Sequence, residues 1–228
     1  MVPHLTSDIA VIGAGVVGMT IALRLAHEGR DVTLIDPEEP GMGASYGNAG
    51  TIADYAVMPV GTPDVLRNLP SLLFDRNSPL SIRHAALPSL APWLLRFARQ
   101  SLPGAARANA AAIAALLGSA CASWQELAAE IGGSAILQRR GCLYMYETKA
   151  GYRAAAADMA YRRTHGITVE LIDPQALAEM EPGLPAVDGG AAFFPKAVFL
   201  SDPGQMMALL AVAVRRAGVQ MIKARATG

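Results

Sequence analysis

An α/β fold opening on a parallel βαβ unit is what this sequence predicts, and three observations predict it. A short apolar run with β-branched residues, Ile9-Ala10-Val11-Ile12, leads into a glycine-rich turn, Gly13-Ala14-Gly15-Val16-Val17-Gly18. An apolar helical pattern follows the turn. A second apolar run, Val32-Thr33-Leu34-Ile35, then closes on an acid, Asp36. Strand, turn, helix, strand and terminal acid in this order form the unit that binds a dinucleotide.

Each glycine of the turn has its own task. Gly13 permits the tight strand-to-helix turn, Gly15 leaves no side chain between a pyrophosphate and the backbone, and Gly18 lets the helix pack closely on the strands. The pyrophosphate then sits at the helix N-terminus, facing N–H groups and the positive end of the dipole. Asp36 follows Gly18 by 18 positions. There its carboxylate accepts hydrogen bonds from the adenosine ribose and repels a phosphate on that ribose, which disfavours NADP. Glycines serving only a tight turn would explain the triplet, but not the strand, helix and acid around it.

The composition narrows the partners. A chain of 228 residues makes one large domain or two small ones and is long enough to bury a core. Nineteen basic and nineteen acidic side chains cancel, without a basic cluster of the kind that drives nucleic-acid binding, so nucleic acid is not an expected partner. Cys121 and Cys142 lack CxxC spacing and read as reduced, buried thiols, and His4, His27, His84 and His165 are scattered as surface residues, so no metal is expected. The first residues lack the features of an export signal. Residues 108–125 are uncharged but mostly alanine, with Asn109, Ser119, Ser123 and Gln125 among them, and read as a soluble helix rather than a transmembrane segment.

Beyond Asp36, residues 37–43 are rich in proline, glycine and acid and form a surface turn. Residues 44–52 place Ser45 and Asn48 among small residues, where backbone can approach a flat or charged ligand and two side chains can hydrogen-bond it. Prolines crowd residues 58–92, which predicts an irregular packed connection. Pro92 opens a helix that Pro103-Gly104 stops, and one long helix follows over 105–131, with Trp124 in its core face. Residues 135–147 read as one or two strands with Cys142, Tyr144 and Tyr146 on one face, the tyrosines serving plain packing rather than a substrate cavity. A helix over 150–165 stops at Gly166, a strand covers 167–172, and Asp173 caps a short helix. A strand over 189–195, an Asp202-capped helix over 205–217 ended by Gly218, and a strand over 219–222 complete the chain.

With these pieces in order, the sequence resembles the D-amino-acid oxidase and dehydrogenase superfamily of FAD-dependent oxidoreductases, and within it the bacterial D-amino-acid dehydrogenase group. The resemblance rests on Ile12-Gly13-Ala14-Gly15-Val16-Val17-Gly18 and on Gly43-Ala44-Ser45-Tyr46-Gly47-Asn48-Ala49-Gly50. It continues through Pro92-Trp93-Leu94-Leu95-Arg96-Phe97, Glu181-Pro182-Gly183-Leu184, Phe193-Phe194-Pro195 and Ser201-Asp202-Pro203-Gly204. The first motif is common to many flavin and nicotinamide proteins; the second is more particular and moves the expected cofactor from NAD to FAD. The implied fold is a Rossmann-like FAD-binding βαβ unit with an inserted α+β substrate region. Its implied parts are 1–57 in the FAD-binding domain, 58–200 in the substrate region, and 201–228 returning to the FAD domain.

The resemblance implies that Gly13, Gly15, Val16, Val17 and Gly18 hold the FAD pyrophosphate and Asp36 the adenosine ribose. Ala44, Ser45, Asn48 and Ala49 would line the way towards the flavin. The implied reaction takes a D-amino acid or related small amine to an imine, which water hydrolyses to a keto acid and ammonia, with oxygen in an oxidase, or a quinone or another carrier in a dehydrogenase, as electron acceptor. No catalytic residue is assigned. Relatives continue past this point with further strands and the groups that grip the substrate carboxylate, so the chain is expected to be the N-terminal portion of an incomplete fold. Alone it would be aggregation-prone or need a complementing C-terminal segment. Lys196 stands where relatives often carry an acid, without a physical account. The expected location is the cytoplasm, free or peripheral on the inner face of the membrane. The competing readings are a non-catalytic fragment that binds FAD weakly or not at all, and an NAD-dependent dehydrogenase.

Overall fold

The computed structural model describes residues 7–69 and 84–227. In chain order its elements are β1 (Ile9–Ile12), α1 (Val16–His27), β2 (Val32–Asp36), β3 (Thr51–Ile52), α2 (Pro63–Arg67), α3 (Leu87–Gln100), α4 (Pro103–Leu117), α5 (Ala120–Glu130), β4 (Leu137–Gln138), β5 (Cys142–Tyr146), α6 (Lys149–Thr164), β6 (Glu170–Ile172), α7 (Pro174–Met180), β7 (Gly190–Phe194), β8 (Val198–Leu200), α8 (Pro203–Arg216) and β9 (Gln220–Lys223). They divide between two compact units. One comprises Met1–Ile52, Cys121–Gly141 and Lys196–Gly228, and the other Ala53–Ala120 and Cys142–Pro195.

The first unit carries the predicted βαβ. Its parallel sheet runs β1-β2-β9, with Ile9 opposite Val32 and Thr33 opposite Gln220. A central parallel strand is covered on both faces, which is why Val32, Thr33 and Leu34 are buried in succession instead of alternating. Met19, Ala22 and Leu23 of α1 and Met206, Met207, Leu210 and Val214 of α8 complete this core. Each such large apolar side chain contributes about 1.5–3 kcal/mol by leaving water. The α8 helix starts where the sequence places its cap: the Asp202 carboxylate accepts from Gln205 N–H at 2.8 Å, and Pro203 occupies the first turn. A second, small antiparallel sheet runs β3-β8-β4.

The second unit is built on the antiparallel sheet β5-β7-β6, in which Tyr144 and Leu171 both face Ala192. Tyr55 stacks on Phe194 at 4.5 Å between centroids, and Tyr144 meets both rings edge-on. The buried Arg162 of α6 donates to the Tyr55 carbonyl, pairs with Asp158 at 3.3 Å and lies over the Tyr144 and Phe194 rings. A buried cation is tolerated because these partners replace its hydration.

Several boundaries differ from the sequence expectation. The helix over 105–131 is two helices, α4 and α5, interrupted at Gly118 and Ser119. Glycine costs about 1 kcal/mol in a helix, and flanking alanines bring little side-chain packing to offset it. Pro92 does not start α3 but lies inside it; the helix begins at Leu87 with Pro88 in its first turn. The cost there is one missing donor early in the helix. Of the proline-rich connection, residues 70–83 lie outside the described residues, and 87–92 are helical. The strand over 167–172 shortens to β6; of the one or two strands expected over 135–147 there are two, β4 and β5, parted at Gly141, whose φ is +81°. His165 is half-buried against Tyr161 rather than at the surface.

The unit boundaries also fall elsewhere than 1–57, 58–200 and 201–228. Residues 121–141 fold with the first unit, where β4 pairs with β8 and Leu127 and Ala128 are buried. Residues 53–57 fold with the second, through Tyr55 on Phe194.

Replacing the α8 cap, Asp202→Ala, is expected to lower stability by about 1 kcal/mol, whereas Asp202→Asn changes it by a few tenths at most, ~0.3 kcal/mol. Urea unfolding followed by far-UV circular dichroism reads the difference.

Candidate cofactor site

The site is the turn between β1 and α1 together with the loop over residues 37–50, which closes on it. Gly13, with φ +102°, donates its N–H to the Ile35 carbonyl at 2.8 Å and so ties the turn to β2. Asp36, at the end of β2, accepts from Ala14 N–H at 2.7 Å and from Glu38 N–H at 2.8 Å. Gly41 N–H donates back to the Ala14 carbonyl at 2.7 Å. Further along the loop, the Ser45 hydroxyl accepts from Val16 N–H at 3.0 Å. Two side chains from outside the turn thus take up two of its N–H groups.

What remains at the helix start is set by helix geometry. The first N–H groups of α1 have no carbonyl four residues earlier to bond, and Ser45 takes only that of Val16, so Val17 and Gly18 point theirs out of the helix end. A Cβ on Gly18 would lie 1.8 Å from the Gly13 carbonyl oxygen, so only glycine lets the helix close on the turn here. A Cβ on Gly15 would meet only the Ser45 hydroxyl, at 3.1 Å.

Two hollows flank the turn. One, of about 180 Å³, is lined by Ala14, Leu34, Asp36, Glu38, Arg215, Ile222 and Lys223. The other, of about 300 Å³, is lined by Val16, Ser45, Asn48, Ala49, Trp124, Leu200 and Met207. Ala14 borders one and Val16 the other, so the helix start stands between them. That arrangement suits a ligand with two bulky ends and an anionic middle. On the rim of the smaller hollow Lys223 pairs with Glu39 at 3.0 Å, and this hydrogen bond raises the lysine's pKa.

The sequence-predicted residues divide by what they do here. Gly13, Gly15, Val16, Gly18, Asp36, Ser45, Asn48 and Ala49 gather at the turn and its hollows. Val17 contributes backbone alone; its side chain is 68% exposed and lines a separate apolar groove with Ile21, Trp124 and Leu127. Asn48 braces the loop: its amide donates to the Ala44 and Ser45 carbonyls at 3.3 and 3.1 Å and accepts from Gly50 N–H at 2.7 Å. Ala44 is exposed and enters through that carbonyl.

Trp124, read from the sequence as core, is half-buried and lines both the larger hollow and the groove. Met207, Leu200, Arg215 and Lys223 come from the far end of the chain, and no local pattern marks them. Tyr144 and Tyr146 belong to the second unit's packing. Burial raises the pKa of both, and Tyr55 is pushed up further by burial and by its hydrogen bond with Cys142. These phenols stay protonated at neutral pH.

Comparison with known proteins gives a consistent picture. The model of the FAD dependent oxidoreductase family (DAO) matches residues 8–228. A D-amino-acid oxidase of Bradyrhizobium diazoefficiens is 32% identical over 225 residues, covering 96% of this chain and 53% of that protein. A D-amino acid dehydrogenase 2 of Ralstonia nicotianae is 34% identical over 193 residues, covering 82% of this chain and 45% of that one. Glycine oxidase from Geobacillus kaustophilus matches in structure with a TM-score of 0.61 at 22% identity, over 95% of this chain and 46% of that one. L-proline dehydrogenase from P. horikoshii matches with 0.60 at 19%, over 96% and 44%. The chain spans about half the length of the curated relatives it matches.

The two helix-start glycines are expected to respond differently to substitution. Gly18→Ala forces a methyl onto a backbone carbonyl and should cost about 3 kcal/mol. Gly15→Ala, where a side-chain hydroxyl can turn aside, should stay within about 1 kcal/mol. Thermal unfolding of the two variants beside the parent measures this.

Proposed function

We propose that this chain, which belongs to the FAD dependent oxidoreductase family, seats FAD across the turn between β1 and α1. We propose further that the whole enzyme oxidises the carbon–nitrogen bond of a D-amino acid or related small amine. The product would be an imine, which water hydrolyses to a keto acid and ammonia. The observation that carries the cofactor reading is the helix start standing between two hollows, with Asp36 at one and the Ser45 loop at the other.

The residues present fit that cofactor. Glycine at 15 leaves a ligand free to approach the helix end, and Val17 and Gly18 N–H groups with the helix dipole would bind the pyrophosphate. Asp36 already accepts two backbone N–H bonds, which orient it; a carboxylate has further lone pairs for the ribose hydroxyls. Ser45, held by Val16 N–H, would turn its own proton towards a phosphate oxygen. Once bound, FAD supplies the hydride acceptor, and the protein's part is position and electrostatics. The matched relatives carry D-amino acid names, which supports the substrate class; oxygen, a quinone or another carrier would take the electrons. The cytoplasm is the location we propose, in keeping with the bacterial enzymes among the matched relatives.

A second reading has an observation of its own. Within the first unit β1 is an edge strand, Ile12 and Val17 are 71% and 68% exposed, and an apolar groove of about 610 Å³ runs beside α1. Surface of this kind wants a cover. It supports a chain that needs a complementing segment and, alone, binds FAD weakly.

The visible spectrum of purified protein with added FAD tests both. A flavin spectrum retained through gel filtration and bleached by D-alanine or sarcosine is expected if the chain is competent. Gly15→Ala is expected to weaken FAD binding at least about tenfold, since its methyl stands where the pyrophosphate must approach. Colourless protein that FAD does not stabilise would leave the weak-binding fragment as the reading, and NADH binding in place of FAD would favour a nicotinamide enzyme.

A further inference from the structure

We infer that Trp124 is a flavin-contact residue, its indole forming one wall of the hollow that takes the isoalloxazine. The inference rests on the cofactor reading above and goes beyond it, because it assigns each hollow its end of the ligand and names what touches the ring. The hollow of about 300 Å³ falls at the lower end of ligand-pocket volumes, about 300–1,000 Å³, whereas the one at Asp36, of about 180 Å³, lies below it. A three-ring flavin and a two-ring adenine differ in the same order. The lining of the larger hollow also divides in chemistry: Ser45 and Asn48 are polar, and Ile52, Leu200, Met207 and Trp124 are apolar. An isoalloxazine has the same division, with carbonyls and N–H on its pyrimidine edge and a dimethylbenzene edge opposite.

The frame of this hollow is fixed by its own bonds. The Leu200 N–H donates to the Gly50 carbonyl at 2.7 Å, and the Gly50 N–H donates to the Asn48 side chain at 2.7 Å. Gly50, with φ +69°, lets β8 come this close: a Cβ there would lie 2.4 Å from the Leu200 carbonyl oxygen. Trp124 is held from the other direction. Leu127, three residues on, is buried and anchors α5, and Glu130 at the end of that helix pairs with Arg24 of α1 at 2.7 Å. A core tryptophan is covered all round, but Trp124 is half-buried and lines both the hollow and the apolar groove beside α1, so its indole stands as the partition between them. No other aromatic residue is among those lining the hollow. Indole is an electron-rich ring and oxidised isoalloxazine an electron-poor one, a pairing that favours offset stacking.

Trp93, in the second unit, is the chain's other tryptophan, so Trp93→Phe leaves Trp124 as the only indole. In that background, equilibrium dialysis measures FAD binding and the emission of the bound flavin reports contact. An indole against the ring passes an electron to the excited flavin and takes it back, so the bound flavin should be dark. Trp124→Phe keeps a ring but removes the donor; it should bind FAD within about threefold of the background chain and emit. Trp124→Leu should emit as well and bind roughly tenfold more weakly. Both should keep the far-UV circular dichroism of the background chain. A second measurement leaves position 124 untouched: bound FAD should shield Trp124 from collisional quenching by acrylamide. Bright flavin in the background chain, flavin equally dark in both variants, or acrylamide quenching unchanged by bound FAD overturns the inference. Each of these leaves the cofactor reading standing, since dialysis still finds FAD on the protein. Dialysis that finds no FAD bound to the background chain removes the cofactor reading, and this inference with it.

Discussion

Two hydrogen bonds from outside the first turn hold the candidate site in shape: Asp36 accepting from Ala14 N–H, and Ser45 accepting from Val16 N–H. A glycine-rich turn is entropically loose by itself, because glycine has the most conformational freedom to lose. Here the end of β2 and the following loop clamp it at alternate residues, and Gly41 returns a bond to the Ala14 carbonyl. The clamp leaves the N–H groups of Val17 and Gly18 as the unsatisfied part of the helix start. The turn is therefore fixed by its own hydrogen bonds, and under the proposed cofactor reading such preorganisation would lower the cost of binding an anion there.

That architecture was legible where chemistry is local in the chain. The β1-turn-α1-β2 unit, the caps Asp173 and Asp202, and the stops at Gly166 and Gly218 each announce themselves within a few residues. Each is a backbone requirement that few residue types can meet. The motif over residues 43–50 pointed to the loop, but Asn48 braces it internally, and a sequence does not reveal which of an amide's partners are its own backbone.

Long-range consequences were not legible. The break at Gly118 depends on the small gain that alanine-rich flanks offer, and the reassignment of residues 121–141 depends on β4 finding β8 some sixty positions on, about the scale of loop closure that local pattern cannot register. Trp124 fits a helical apolar pattern equally well as core or as wall of a hollow. In the second unit, Arg162 looks in sequence like one more solvated base of α6, yet it is buried and pinned between Asp158 and the Tyr55 carbonyl. α3 is the reverse case: Trp93 and Leu95 are 59% and 73% exposed, and no residue of the helix is buried.

The central claim is that the start of α1 receives the pyrophosphate of FAD. A 15N–1H correlation spectrum of the chain titrated with FAD reads this at the atoms concerned. The account predicts saturable shifts centred on the Val17 and Gly18 amides, with smaller ones at Ala14, Ser45 and Gly50. Shifts confined to other parts of the chain, or none at saturating FAD in a spectrum that is otherwise folded, would contradict it.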